Sequence, residues 1–266
     1  MHKLSNLKEF YEYLYDKYNN RSYIVSDPID LVYKTEGNKE FIALCSSLFS
    51  YGKVENIKNF LIKFFNNFGG DPFNIKIPNN TKNLYYRFQK FDDIKLLIEF
   101  IVYIYKNYGS LEQLFLSFSN VLEDAFIKFT NFAKEFGKTK SAGCGYFSLF
   151  PTGEGLYSKR FNMFLRWMIR KDNIDMGLWN NYNSSELRYP MDTHIMKFAL
   201  SKGIIKSKQN NIRNVAMITD YFKRFSFDDP VKYDFALTRQ GMLYACTFKK
   251  DVNCYYCENN KDCLFY

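Results

Sequence analysis

Four cysteines crowd the end of the sequence with a spacing that suits a bound metal. Seven, two and five residues separate them, in the pattern Cys246-x7-Cys254-x2-Cys257-x5-Cys263. One compact loop can bring four such thiolates to a single centre. Zinc sites usually combine two C-x2-C pairs, whereas this segment has one. The spacing therefore favours an iron–sulfur cluster, with a structural zinc as the alternative and disulfides as a weaker option.

Two further places have residues suited to holding charge. Gly153 and Gly155 stand before a helix expected to begin at Ser158, and backbone N–H groups in such a turn can hold a phosphate. The carboxylate of Glu154 opposes an anion in that turn. Asp192 stands where another helix should begin, and its side chain is well placed to cap that helix.

Charge and hydropathy narrow the class of partner. Lys and Arg outnumber Asp and Glu by 37 to 28, a net charge of +9. The segment 197–224 contains seven basic residues and one acidic residue, Asp220. Such a surplus favours nucleic acid or an anionic membrane surface, although a solvated helix face is the ordinary alternative. No apolar run is long enough for a signal peptide or a membrane span, so we expect a cytoplasmic protein.

The elements that must position these residues are helices. Apolar residues return every three or four positions, which predicts an all-α fold. One helix should begin at Asp92 or Asp93 and end at Gly109, and an earlier one should end at Gly69. The glycine-rich segment 137–155 is expected to be a hinge between two helical lobes. Further helices are predicted at 39–51, 111–118, 120–136, 158–171, 192–202, 210–224 and 231–245.

Two segments in order along the chain carry a family resemblance. A predicted helix, Asp234-Phe235-Ala236-Leu237-Thr238-Arg239-Gln240-Gly241-Met242-Leu243-Tyr244-Ala245, runs into the first cysteine of the cluster. Upstream stands Tyr189-Pro190-Met191-Asp192-Thr193-His194-Ile195. Together they resemble the helix-hairpin-helix (HhH-GPD) DNA glycosylase superfamily in its endonuclease III/MutY-like iron–sulfur branch. The segments 158–168 and 229–234 are also similar to an uncharacterised bacterial subfamily of it.

The resemblance is closest from about residue 150 onward, and the sequence departs from the family pattern at three places. The family has six residues in the first cysteine gap, where this chain has seven. The family's hairpin motif is Leu-Pro-Gly-x-Gly-x-Lys-Thr-Ala. Residues 150–155 correspond to it but differ in sequence, and Lys159 lies further along the chain than the motif's lysine. The segment 172–188 is an apparent insertion, and within it Trp179 is a candidate to stack on an extruded base.

The resemblance implies a two-lobed architecture. Two helical lobes would enclose a cleft, and the iron–sulfur loop would end the C-terminal lobe. Residues 1–38 would form N-terminal helices that pack on the C-terminal lobe. Residues 39–155 would form a helical-barrel lobe, and 156–266 the C-terminal lobe with Asp192 and the cysteine loop.

The implied function is removal of a damaged or mismatched base from double-stranded DNA, with or without AP-lyase activity. A non-catalytic DNA-binding iron–sulfur protein of the same fold is the alternative. Asp192 and Lys159 would be the catalytic residues, and the cysteine pattern would hold a [4Fe–4S] cluster. A monomer is expected. The residues implied to contact DNA are Gly153, Gly155, Arg160, His194 and Lys197.

Overall fold

The computed structural model of the chain describes residues 2–77, 84–151, 155–259 and 263–265. Within these ranges every named element is helical, and extended pairing is limited to two isolated bridges, Tyr86 with Gln89 and Lys171 with Met176. The predicted all-α class is therefore confirmed. No helix in the described ranges is long and apolar enough to cross a membrane.

The chain divides into two compact units, each built from separate segments. The terminal unit comprises Met1–Tyr23, Tyr157–Gly177 and Asn183–Tyr266, and the central unit comprises Ile24–Leu156 and Leu178–Tyr182. The helices of the terminal unit are α1 (His2–Tyr18), α9 (Lys159–Ile169), α10 (Thr193–Ser201), α11 (Ile212–Lys223) and α12 (Asp234–Leu243). Those of the central unit are α2 (Ile29–Lys34), α3 (Lys39–Leu48), α4 (Val54–Phe68), α5 (Phe91–Tyr108), α6 (Leu111–Phe118), α7 (Leu122–Thr139) and α8 (Cys144–Phe147).

The helices of the central unit bury the apolar faces that their periodicity predicts. Helix α4 buries Ile57, Phe60, Leu61, Phe64, Phe65 and Phe68. Helix α5 buries Ile94, Leu97, Ile98, Ile101 and Tyr105, which lie on one face of the helix. The two helices end at Gly69, with φ of 76°, and at Gly109, with φ of 82°. Both values lie in the left-handed region that glycine adopts without steric cost, so the predicted helix ends are confirmed.

The start of α5 differs from the prediction. The helix begins one residue earlier than Asp92, with Lys90 at the N-cap and Asp93 at the third helical position. Asp93 accepts the backbone N–H of Lys90 through Oδ2 and that of Tyr146 through Oδ1, both at 2.9 Å. The carboxylate therefore ties α8 to the start of α5. The expected hinge at 137–155 is accordingly not all loop, because α7 continues to Thr139 and α8 lies within it.

A buried carboxylate organises the central unit. Glu40 is 8% exposed and accepts hydrogen bonds from the Tyr105 hydroxyl and from the backbone N–H groups of Leu111 and Glu112, which begin α6. The indole N–H of Trp179 donates to the same carboxylate at 2.6 Å. Trp179 is 3% exposed, so the prediction that it stacks on an extruded base is wrong, because its ring is packed in this core.

The terminal unit has an aromatic core and a buried ionic network beside it. Tyr11 of α1 packs its ring against Phe198 of α10, Phe222 of α11 and Tyr233, which precedes α12. The ionic network pairs two arginines of α9 and its C-cap with four aspartates: Arg166 and Arg170 with Asp172, Asp175, Asp229 and Asp234. Since an unpaired charge is costly in an apolar interior, this network fixes how α9 sits in the unit.

Candidate functional site

Asp192 stands at the start of α10, as the sequence predicts. Its Oδ1 accepts the backbone N–H groups of His194 and Ile195, each at 2.8 Å, so the side chain is the N-cap of the helix. The carboxylate is half-buried. Its second oxygen, Oδ2, has no hydrogen-bond partner within the described ranges. Oδ1 of Asp192 therefore caps the helix, while Oδ2 is available to interact with another group.

The imidazole of His194 brings several of the predicted site residues together. Burial lowers the pKa of this imidazole, and the negative charge of Asp192 opposes that effect. The cations Lys197, Arg239 and Lys159 lower the pKa further. The charges of Asp192, Lys159 and Lys197 therefore all act on this one ring.

A second acidic residue, which the sequence analysis did not single out, belongs to this neighbourhood. Asp234, at the first position of α12, is 4% exposed and forms an ion pair with Arg166. Burial raises the pKa of Asp234 to about 7, the charge of Arg166 lowers it, and that of Asp192 raises it. One signal was available in the sequence, because a charged Arg166 in the middle of an apolar helix requires a buried partner.

Two of the predicted site residues begin α9. Lys159 is the first residue of the helix, Arg160 is the second, and both are half-buried. Lys197 of α10 is exposed.

The glycine turn before this helix is only partly described. Gly153 lies outside the described residues. Gly155 is buried, and its φ of 135° lies in a region that L side chains rarely adopt. The backbone at this position therefore requires a glycine.

The four cysteines of the predicted metal site line one cavity of the terminal unit. The other residues that line it are Gln240, Tyr244, Lys249, Asp251, Asn253 and Phe265. Among the described residues, no three histidine, cysteine or acidic side chains are arranged closely enough to coordinate a metal ion as they stand. The chemistry of the four sulfur atoms and of the groups around them nevertheless bears on whether a metal fits this cavity.

Each of the four sulfur atoms faces an N–H donor. The backbone N–H of Phe248 donates to Sγ of Cys246 at 3.3 Å, and that of Asp251 to Sγ of Cys254 at 3.5 Å. The side-chain amide of Gln240 donates to Sγ of Cys257 at 3.0 Å. The backbone N–H of Phe265 donates a hydrogen bond to Cys263. Hydrogen bonds of this kind stabilise sulfur that carries negative charge, as ligand thiolates do.

The thiols also influence one another. Burial raises the pKa of Cys246 to about 11, with further raising by the other three cysteines. Burial also raises the pKa of Cys263, and Cys257 and Cys254 add to it. Each thiol that ionises here makes it harder for the next one to ionise, and a metal ion bound to the sulfur atoms would remove that repulsion. The donor set fits an iron–sulfur cluster or zinc.

Comparison with known proteins shows the family of the chain. A family model described as Protein of unknown function (DUF2400) matches residues 27–243. Because this range is most of the sequence, the chain belongs to that family. The matched range contains Lys159, Asp192 and Asp234 and ends before the first cysteine of the metal site. No curated protein and no solved structure matches the chain.

Proposed function

We propose that the protein is a DNA glycosylase that removes a damaged or mismatched base and works in the cytoplasm as a monomer. The observation that carries this proposal is the carboxylate of Asp192, which caps α10 with Oδ1 and leaves Oδ2 without a partner in the described part of the chain. A carboxylate held rigidly by its helix and still able to act outward suits a reaction that develops positive charge on a sugar.

The chemistry assigned to Asp192 follows from that placement. An extruded base leaves the stack at a cost of a few kcal/mol, which damage or mispairing reduces. As the bond between C1′ and the base nitrogen breaks, the base keeps the bonding electrons, and Asp192 stabilises the cationic sugar. Water then bonds to C1′ and gives its proton to the carboxylate. In this scheme the carboxylate then passes that proton to the departed base, which carries the bonding electrons, so both groups return to their ordinary charge.

Lys159 would decide whether the DNA strand is also cut. Its charge acts on the pKa of His194, as that of Asp192 does, so both residues belong to one neighbourhood. If the uncharged Lys159 amine replaces water as the nucleophile, it bonds to C1′ as the base leaves with the bonding electrons. The nitrogen then loses a proton, the C1′–O4′ bond of the sugar ring breaks, O4′ takes a proton, and a Schiff base forms at C1′. This intermediate permits elimination of the 3′ phosphate, which is AP-lyase activity. Without that attack the enzyme only hydrolyses the glycosidic bond.

Binding of double-stranded DNA rests on the basic surface of the terminal unit. Lys197 is exposed on α10, the helix that Asp192 caps, and the charge surplus of residues 197–224 continues from it. Arg160 and His194 would add contacts to the phosphates. Because such contacts release counterions, affinity for DNA should fall steeply as salt rises.

The metal centre would be a [4Fe–4S] cluster, with structural zinc as the alternative, held by the four cysteines that line the cavity. Bound there, such a group supplies structural cross-linking and takes no part in glycosidic bond cleavage. The four cysteines would fix the loop from Cys246 to Cys263, and Lys249 and Lys250 of that loop would then be available to contact DNA.

The proposal is tested by incubating the purified full chain with oligonucleotides that contain uracil, 8-oxoguanine, alkylated purines, oxidised pyrimidines or A·G mispairs. We expect excision of at least one base and its loss by about 100-fold or more in Asp192→Asn. Asparagine is as good an N-cap as aspartate, so this variant should unfold in urea like wild type. Asp192→Ala should lose excision and also about 1 kcal/mol of unfolding free energy.

Two results would contradict parts of this proposal. Full excision by Asp192→Asn would leave Asp192 as a helix cap without a catalytic role. Salt-sensitive DNA binding with no excision on any substrate would instead support the non-catalytic DNA-binding protein of the same fold.

A further inference from the structure

We propose that Gln240 and Asn259 are positioning residues of the metal centre and that α1 fixes their orientation through Lys17. This inference rests on the four-cysteine site proposed above and does not depend on glycosylase activity. The side chains concerned, Gln240, Asn259 and Lys17, all belong to the terminal unit. They connect one sulfur atom to the N-terminal helix.

Gln240 is the side chain that contacts the sulfur. It is 1% exposed, and its Nε2 donates to Sγ of Cys257 at 3.0 Å. Its Oε1 accepts two hydrogen bonds, from the hydroxyl of Tyr18 at 3.1 Å and from Nδ2 of Asn259 at 2.6 Å. Both ends of the amide are therefore bound inside the protein, where water cannot replace a lost partner.

Asn259 continues the chain of hydrogen bonds toward α1. It is 0% exposed, and its Nδ2 donates to Tyr18 at 3.1 Å as well as to Gln240. Its Oδ1 accepts from Nζ of Lys17 at 2.8 Å and from the hydroxyl of Tyr13 at 3.2 Å. Three residues of α1 thus surround this one amide.

The direction of the relay follows from the chemistry of lysine. An ammonium group can only donate hydrogen bonds, so Lys17 requires that the oxygen of Asn259 face it. Nδ2 of Asn259 then faces Gln240, which must present its own oxygen. Nε2 of Gln240 is left to point at Cys257. Reversing either amide would set N–H groups against each other in a buried place, at a cost of about 1–3 kcal/mol for each unsatisfied group.

A donor held in this way should act on the metal centre. Groups that orient and hydrogen-bond metal ligands typically change metal affinity by about 10- to 100-fold when they are mutated. Hydrogen bonds to the sulfur atoms also set the reduction potential of an iron–sulfur cluster. An N–H donor stabilises the more negative, reduced state, so its loss should move the potential to more negative values.

The experiment compares variants of the full chain by iron and sulfide content, the rate of iron release to a chelator, and reduction potential by film voltammetry. Gln240→Leu should release iron about 10-fold faster or more and have a more negative potential. Lys17→Met should change both in the same direction by less, and Lys17→Arg, which keeps a donor-only cation, should restore them. Lys17 also pairs with Glu258, next to Cys257, at 3.1 Å. Lys17→Met should therefore add no more in the Gln240→Leu background than Glu258→Gln does, because the rest of its effect passes through Gln240.

Gln89→Leu is the matched control, since it removes an amide that is also 1% exposed but lies in the central unit. It should leave iron release and potential unchanged. The proposal is overturned if Gln240→Leu behaves like wild type, or if the effects of the Lys17 and Gln240 variants simply add. If the protein contains zinc, zinc release should follow the same order. A protein with neither metal overturns the proposal, whereas absence of base excision leaves it standing.

Discussion

The imidazole of His194 lies directly against the backbone of Gly241. A Cβ atom at position 241 would stand 2.4 Å from Nδ1 of the ring, a distance that real side chains do not reach. His194 belongs to the first turn of α10 and Gly241 to α12, and these helices pack on each other. The glycine therefore determines how closely α10, with Asp192 at its start, approaches α12.

Gly241→Ala should disturb this contact. The added methyl group must displace the His194 ring or separate the helices, which should lower the free energy of unfolding by about 1–3 kcal/mol. Urea denaturation measures the loss, and excision by the same variant should fall because Asp192 moves with α10. In a His194→Ala background the methyl group has room, so the same substitution should cost much less. An equal cost in both backgrounds would show that the ring is not the obstacle.

The buried pair of Asp234 and Arg166 predicts a pH dependence of stability. Burial raises the pKa of Asp234 from its ordinary 3.8 to about 7, so between these values the folded protein binds more protons than the unfolded chain. The contribution of Asp234 to stability therefore decreases as pH rises from about 4 to 7 and is constant above. In urea titrations across this range, wild type should lose stability relative to Asp234→Asn. Parallel curves would contradict the raised pKa.

The two tryptophans form a matched pair for testing the role of Glu40. Both are buried, but Trp179 donates to the Glu40 carboxylate, whereas Nε1 of Trp167 has no partner among the described residues. Each Trp→Phe change removes similar volume. Trp179→Phe should cost about 1.5–3 kcal/mol more than Trp167→Phe, because only it breaks a hydrogen bond to a charged group. Equal losses in chemical denaturation would mean that the bond to Glu40 contributes little.

The cysteines provide their own control for the metal site. Cys254→Ser should lower the metal content of the purified protein and its melting temperature, because a hydroxyl is a poor substitute for a thiolate ligand. Cys144→Ser changes an exposed cysteine outside the cavity and should affect neither. Metal analysis and thermal denaturation of both variants check this. Metal content that is equal in the two variants would remove Cys254 from the ligand set.

The sequence predicted most helices because their apolar faces repeat with the helical period. Asp192 was identified as a helix start from its local context, and the structure confirms the cap. Asp234 was missed because it lies 68 residues from Arg166, so the sequence indicates that Arg166 needs a buried partner but does not indicate which residue that is. The contact between Gln240 and Cys257 was missed for a related reason, since the side chain of a helical glutamine is expected to face solvent.

The hydrogen bond between Lys17 and Asn259 spans 242 positions of the chain. Closing so long a loop carries a large entropic cost and cannot precede synthesis of residue 259. A ribosome-bound chain that already contains Cys246, Cys254 and Cys257 therefore still lacks the support that orients the amide at Cys257. The loop can therefore receive this support from α1 only after residue 259 has been synthesised, although α1 itself is made first.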